Sequence, residues 1–249
     1  MRAALVMMGI KSVLTSGTMS EPNELAALRE RIETLERELG ALADKMAIRE
    51  LQFAYGYFMD KCMFDEIVDL FSDDAELYFM GGVYRGKAGA RRLYGGASGL
   101  SGPAHGMLFD HIIAQDIVHV AEDRRSAKGR FRTFMQGGVH ETKKDAPPAI
   151  PSQFLEAGVY ENEYIREDGV WKISRFDYHV VWQCHFPEGW AHSPTGPLMV
   201  SEQMQTYPEN PRGPDELTAP RPRWPQAVVV PFHYRHPVTG KPIATPTAR

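Results

Sequence analysis

Five segments between Ala75 and Trp182 have the composition of β-strands, and they decide most of what this chain can become. AELYFMGGVYRG, MLFDHIIAQDIVHV, AKGRFRTFMQGGVHE, FLEAGVYENEYIRE and GVWKISRFDYHVVW are rich in β-branched and aromatic residues. Turn-forming stretches such as AEDRRS and EDG separate them, and connections that short join antiparallel neighbours. A helical run precedes the strands, so the layout is α+β.

In that helical run the apolar residues fall at Leu25, Leu28, Ile32, Leu35, Leu39, Leu42 and Met46, in alternating steps of three and four with Arg and Glu between them. Such a seam needs a partner surface, either a second copy of the chain or the helix's own domain; Gly40 weakens the helix near its end. The pattern continues through MAIRELQFAYGYFMDKC. There Ile48, Leu51, Tyr55, Phe58, Met59 and Cys62 form one stripe, while Phe53, Tyr57, Asp60 and Phe64 form a second. One stripe is expected to pack on a sheet and the second to line something else. Asp60 belongs to the second, and because a buried carboxylate is costly unless paired, it must face water or a partner in a cavity.

Composition narrows the function. A chain of 249 residues, 43% apolar and 24% charged, supports one core domain with appendages. Its net charge of -4, without a long basic cluster, leaves no footprint for nucleic acid. Cys62 and Cys184 lie far apart with no CxxC spacing, which suits a reducing compartment, and the cytoplasm is expected. Residues 1–22 read as a leader, with Met19 a candidate start, and no segment is apolar for long enough to span a bilayer. The compact domain is expected over 23–182. From about Gln183 the chain is rich in Pro and Gly and reads as an extended arm, 183–249, with one strand-like piece, VVVPFHYRH. Trp190, Trp224, Phe232 and Tyr234 imply that this arm docks.

The order of these pieces resembles the SnoaL-like family of the nuclear transport factor 2 (NTF2)-like superfamily. The match is carried by IRELQFAYGYFMDKCMFDEIVDLFSDDAEL, YRGKAGARRLY, DHIIAQDIVHVAEDRRSAKGRF and GVYENEYIREDGVWKISRF, together covering roughly residues 45–182. The resemblance implies a curved antiparallel sheet wrapped around helices to form a cone with an interior pocket. In the scytalone dehydratase-like branch an acidic residue at the end of the first pocket helix pairs with a His on a strand, and Asp60 and His111 match those positions. The resemblance extends to bacterial members that act on lignin-derived diarylpropanes, releasing formaldehyde without a cofactor, and to a homo-oligomer, with a trimer favoured.

Strand alternation puts Phe109, His111 and Ile113 on one face, so His111 stands among apolar neighbours. Tyr57, on the stripe of Asp60, and Arg130 join Asp60 and His111 as candidate catalytic residues. Either Arg130 and Arg132 or Phe131 and Thr133 point inward, and an inward Arg would hold a phenolate. Tyr55, Tyr78, Phe131, Tyr160, His179 and Trp182 are the candidate substrate-binding residues. The close histidines in HFPEGWAH and HYRH lack metal-site spacing, and GGASGLSG lacks a P-loop context and reads as a mobile loop. The expected chemistry therefore uses no cofactor and no metal: a lyase acting on a small aromatic substrate. The rival readings are a dehydratase or isomerase of another small aromatic or polyketide-like molecule, a non-catalytic binding module, and the small subunit of a ring-hydroxylating dioxygenase. Contact between Asp60 and His111 beside an open cavity separates catalysis from a purely structural role.

Overall fold

The computed structural model describes residues 21–96, 101–146, 150–193, 205–227 and 229–245. The leader with Met19 and the middle of GGASGLSG lie outside the described residues. The chain divides into two units, residues 1–42 and 43–249. Helix α1 spans Glu21–Asp60. In the first unit its apolar seam is exposed, from Leu25 at 52% to Leu39 at 69% and Leu42 at 60%.

In the second unit, α2 (Phe64–Asp69) leads into β1 (Phe71–Phe79), which pairs with β2 (Gly82–Arg85), followed by α3 (Gly86–Gly96). Four long strands follow: β3 (Met107–Val120), β4 (Ser126–Val139), β5 (Gln153–Glu167) and β6 (Val170–His185). A two-residue strand, β7 (Glu216–Leu217), completes a sheet of order β3-β4-β5-β6-β1-β2-β7. The strand segments foreseen in the sequence fall within four residues of these bounds. The sheet is mixed, because β1 runs parallel to β6 while the other pairs are antiparallel. The α+β class and the helix ahead of the strands are as expected. No strand forms in VVVPFHYRH among its described residues. Pro231 has no N–H to give a ladder, and the carbonyls of Val230 and Pro231 accept from Arg130 Nη2 at 2.9 and 2.5 Å instead.

Alternation sorts the strand side chains. In β4, Ala127, Gly129, Phe131 and Thr133 are buried, while Lys128 and Arg132 are exposed. In β5 the inward row is Phe154, Glu156, Gly158, Tyr160, Asn162 and Tyr164. A bulge at Gln115, which has φ +27°, shifts the parity of β3 and brings Val118 into the core after Phe109, His111 and Ile113.

Two buried polar residues tie α1 to the sheet. Gln52 Oε1 accepts from Asn162 Nδ2 and from the Tyr164 hydroxyl, both at 2.9 Å, and Asn162 Oδ1 in turn accepts from the Asp177 backbone N–H at 2.9 Å. Asp44 accepts from Trp171 Nε1 at 3.1 Å and pairs with Arg124 at 2.5 Å and Arg166 at 3.3 Å. Burial alone would raise the Asp44 pKa, but hydrogen bonds from Arg124 and Trp171 and the charges of both arginines hold it below its usual value.

Candidate functional site

Gly56 sets the distance between helix and strand. A Cβ there would lie 3.0 Å from Ile113 Cδ1 and 3.3 Å from the His111 carbonyl, so any larger residue would need Ile113 or β3 to give by a few tenths of an ångström. One turn later α1 ends at Asp60, whose Oδ1 accepts from the His111 backbone N–H and from His111 Nδ1, each at 2.8 Å. Both side chains are largely buried, His111 at 6% exposure and Asp60 at 14%. A carboxylate only accepts, so Nδ1 carries a proton, and Nε2 presents a lone pair when the ring is neutral and an N–H when it is protonated. No described residue takes Nε2.

His111 lines a cavity of about 190 Å³. Its walls are mostly aromatic and sulfur-bearing, among them Tyr55, Phe64, Phe79, Tyr94, Phe109 and Phe154 with Met59, Met80, Met135 and Cys62. Tyr55, Tyr94, Tyr160 and Tyr178 pack around one another and around Phe176; Tyr160 and Tyr178 have ring centroids 4.7 Å apart. Burial first, and then mutual and Glu156 charge effects, raise the pKa of these hydroxyls, which remain donors at neutral pH.

One carboxylate was not foreseen. Glu156 on β5 is 2% exposed, lines the same cavity and accepts from the Tyr178 hydroxyl through Oε1. Its Oε2 is buried without a partner among the described residues. Burial raises its pKa, against the opposing pull of Tyr178, His111 and Arg223. Gly158, two residues along β5, leaves room for the Tyr178 ring: a Cβ would sit 2.4 Å from Tyr178 Cε2 and 2.5 Å from Oη. The signal was present in FLEAGVYENEY, where the alternation that placed His111 also puts Glu156 on the face of Tyr160.

The expected site residues divide. Asp60 and His111 are in contact, and Tyr55 and Tyr160 line the cavity with His111. Phe131 points inward but lies in the core, fully buried and edge-on to Phe53 at 6.4 Å. Tyr57 is 74% exposed and is not a cavity wall; of the second stripe Phe64 lines the cavity, alongside Tyr55, Met59 and Cys62 of the first. Asp60 reaches His111 because it is the last residue of the helix. Arg130 points away from the inward row and pairs with Glu161 at 2.5 Å beneath Phe232. Tyr78 donates to Glu76 at 2.9 Å with Arg175 over its ring. His179 pairs with Asp177 at 3.1 Å and with Arg221 at 2.9 Å, and Trp182 lies beside Phe134 and Trp190. These last four hold the arm or the outer face of the sheet and are not among the cavity walls.

The arm does reach the site indirectly. Gln183 lines the cavity and accepts from Arg223 Nη1 at 3.3 Å, while Trp224 Nε1 donates to the Trp190 carbonyl at 2.6 Å. Trp190 is 60% exposed and, like His192, is not a cavity wall.

The site thus joins a carboxylate and histidine pair to an aromatic cavity between a helix and a mixed sheet. Comparison with known proteins identifies the family. Residues 40–177 match the SnoaL-like domain, and the chain belongs to that family, within the NTF2-like superfamily. Solved structures similar to it include LinA type 2, a hexachlorocyclohexane dehydrochlorinase, at 25% identity over 60% of this chain and 93% of that one, with a TM-score of 0.48. LinA type 3 from Novosphingobium barchaimii LL02 has the same identity and TM-score, covering 60% and 94%. A candidate scytalone dehydratase from Novosphingobium aromaticivorans DSM 12444 is 19% identical over 58% and 89%, with a TM-score of 0.46. No curated protein matches the chain. Among the described residues no helix is long and apolar enough to cross a membrane, and no group of three His, Cys, Asp or Glu side chains is placed to hold a metal ion.

Proposed function

We propose that the protein is a lyase that eliminates a leaving group from a small phenolic substrate, with His111 moving the proton and Asp60 holding its ring. The observation that carries this reading is the His111 ring itself: one nitrogen fixed on Asp60, the other left for a ligand in a cavity walled by aromatic side chains.

The finer reading is loss of water and then formaldehyde from a phenolic diaryl diol. Protonated His111 gives its Nε2 proton to the benzylic hydroxyl, which leaves as water while the phenol oxygen loses its proton to solvent, to be returned from solvent at the end, and pushes electrons in to form a quinone methide. The neutral imidazole then takes the proton of the neighbouring primary alcohol. The carbon–carbon bond breaks, formaldehyde leaves, and the electron pair restores the aromatic ring, whose oxygen regains a proton. The products are water, formaldehyde and a stilbene, with no net oxidation. The substrate's own ring stores the charge at each stage. About 190 Å³ accommodates the phenolic ring and its benzylic carbon, and the second ring extends beyond it.

Purified protein incubated with single-ring benzylic alcohols and diaryl diols, followed by stilbene absorbance and formaldehyde trapping, tests both levels. Water loss alone from the single-ring substrates would make the protein a dehydratase. No turnover of any member by folded protein would leave a binding module.

A further inference from the structure

We propose that Glu156 and Tyr178 form a second polar centre in the cavity, which with the amide of Gln183 recognises a neutral hydroxyl on an aromatic ring. This rests on reading the cavity as a substrate site and names what that site selects. It does not depend on the chemistry at Asp60 and His111.

The reasoning begins with an unused oxygen. Glu156 has one oxygen on the Tyr178 hydroxyl, and the other, Oε2, is buried without a partner among the described residues. The residue is 2% exposed and is a cavity wall, so a ligand in the cavity lies beside this carboxyl group. Buried polar atoms left unpaired are costly, and a ligand group that pairs with Oε2 removes that cost. Burial favours the protonated acid, which donates from Oε2. When ionised, the same oxygen accepts. A hydroxyl serves both states, because it accepts and donates. A carboxylate ligand does not, since it would place a second negative charge beside Glu156. Gln183, its carbonyl oriented by Arg223 from the arm, supplies another polar wall.

The remaining walls choose the scaffold that carries this hydroxyl. They are aromatic rings and thioethers, and a volume of about 190 Å³ slightly exceeds the roughly 150 Å³ that suffices to hold a benzene ring. A phenol with a short substituent fits both size and polarity.

Isothermal titration calorimetry on the full chain at pH 7, with p-cresol, toluene and 4-methylbenzoate, tests the proposal. Wild type should bind p-cresol about tenfold or more tightly than toluene, the scale of one buried hydrogen bond, and 4-methylbenzoate most weakly. Glu156→Met should bind p-cresol and toluene alike. Glu156→Gln, which keeps a donor and an acceptor, should retain the preference. A wild-type protein that selects p-cresol yet turns over nothing refutes the lyase reading and leaves this one standing. Equal wild-type affinities for p-cresol and toluene, no p-cresol binding at millimolar concentration, or an undiminished preference in folded Glu156→Met overturns it.

Discussion

Replacing Gly158 with alanine should damage the site without touching any of its polar groups. The added Cβ would lie 2.4, 2.5 and 2.6 Å from Cε2, Oη and Cζ of Tyr178, where ordinary contact begins near 3.4 Å. The ring must therefore withdraw by about an ångström, yet it is held between Tyr160, at 4.7 Å between centroids, and Phe79, at 5.9 Å. Withdrawal also takes its hydroxyl off Glu156, leaving both oxygens of a buried acid without a partner. Overpacking costs about 1–3 kcal/mol and an orphaned buried acceptor a similar amount; the lower entropy of the unfolded alanine chain offsets less than about 1 kcal/mol. The net loss of about 2–4 kcal/mol corresponds to a fall in Tm of roughly 5–15 °C in a domain of this size. Thermal unfolding followed by circular dichroism measures it. In a double-mutant cycle with Tyr178→Leu, which removes the clashing ring atoms, the pair should cost at least about 1 kcal/mol less than the sum of the singles. A Gly158→Ala protein within about 2 °C of wild type, or strictly additive losses, would refute this account of why β5 carries a glycine beside the cavity.

Asp60→Asn should keep the fold by far-UV circular dichroism while lowering turnover by about two to four orders of magnitude, and the double variant with His111→Ala should be no worse than the more damaging single. The depressed pKa of Asp44 means that its ion pairs contribute stability above the unfolded carboxylate value of 3.8 and lose it as pH falls through the lower folded value; Asp44→Asn should therefore destabilise at pH 7 and converge on wild type in acid denaturation series. For Glu156 the sign is opposite. Its folded pKa is raised above 4.5, so stability is fully present below that pH and declines as pH rises through the folded value, and Glu156→Gln should flatten that decline in urea titrations. In the first unit, Leu25, Leu28, Ile32, Leu35, Leu39 and Leu42 set a heptad register in which a parallel second copy places Glu24 opposite Arg29 and Arg31 opposite Glu36. Leu35→Glu should then lower the mass found by light scattering, and an unchanged mass would remove self-association through this seam.

The strands were legible because their alternation is local: each side chain's face follows from its neighbours, and only the bulge at Gln115 interrupts the count in β3. The pair of Asp60 and His111 was not legible in that way. Fifty-one positions separate them, and no spacing rule links a helix end to a distant strand, so only the order of family segments brought them together. Where periodicity was pressed into tertiary service it failed. The second stripe of α1 gave Tyr57 to the cavity, but a helix with apolar residues on two sides does not declare which side meets the sheet, and Gly56 is what brings the other side close. Alternation left either Arg130 and Arg132 or Phe131 and Thr133 to face inward, and the second pair does; Arg130 and His179 both turn to ion-pair partners away from the cavity. Glu156 was readable by the same parity, since it shares the buried row of β5 with Gly158 and Tyr160.

The contribution of the arm lay beyond any local signal. Its Pro-rich segments have no period to follow, and its attachment is made by polar tips that meet carbonyls and carboxylates far away in sequence: Arg223 on Gln183, His233 on Glu161, Arg221 on Asp177. The first of these contacts matters most for chemistry. Gln183 is a cavity wall whose carbonyl is held from outside by a residue of the arm, and Arg223 keeps Nη2 buried without a partner while its charge acts on Glu156. The charges of His111 on β3 and of Arg223 on the arm both pull the Glu156 pKa down against the larger effect of burial, so one of the groups that act on this cavity wall comes from the arm.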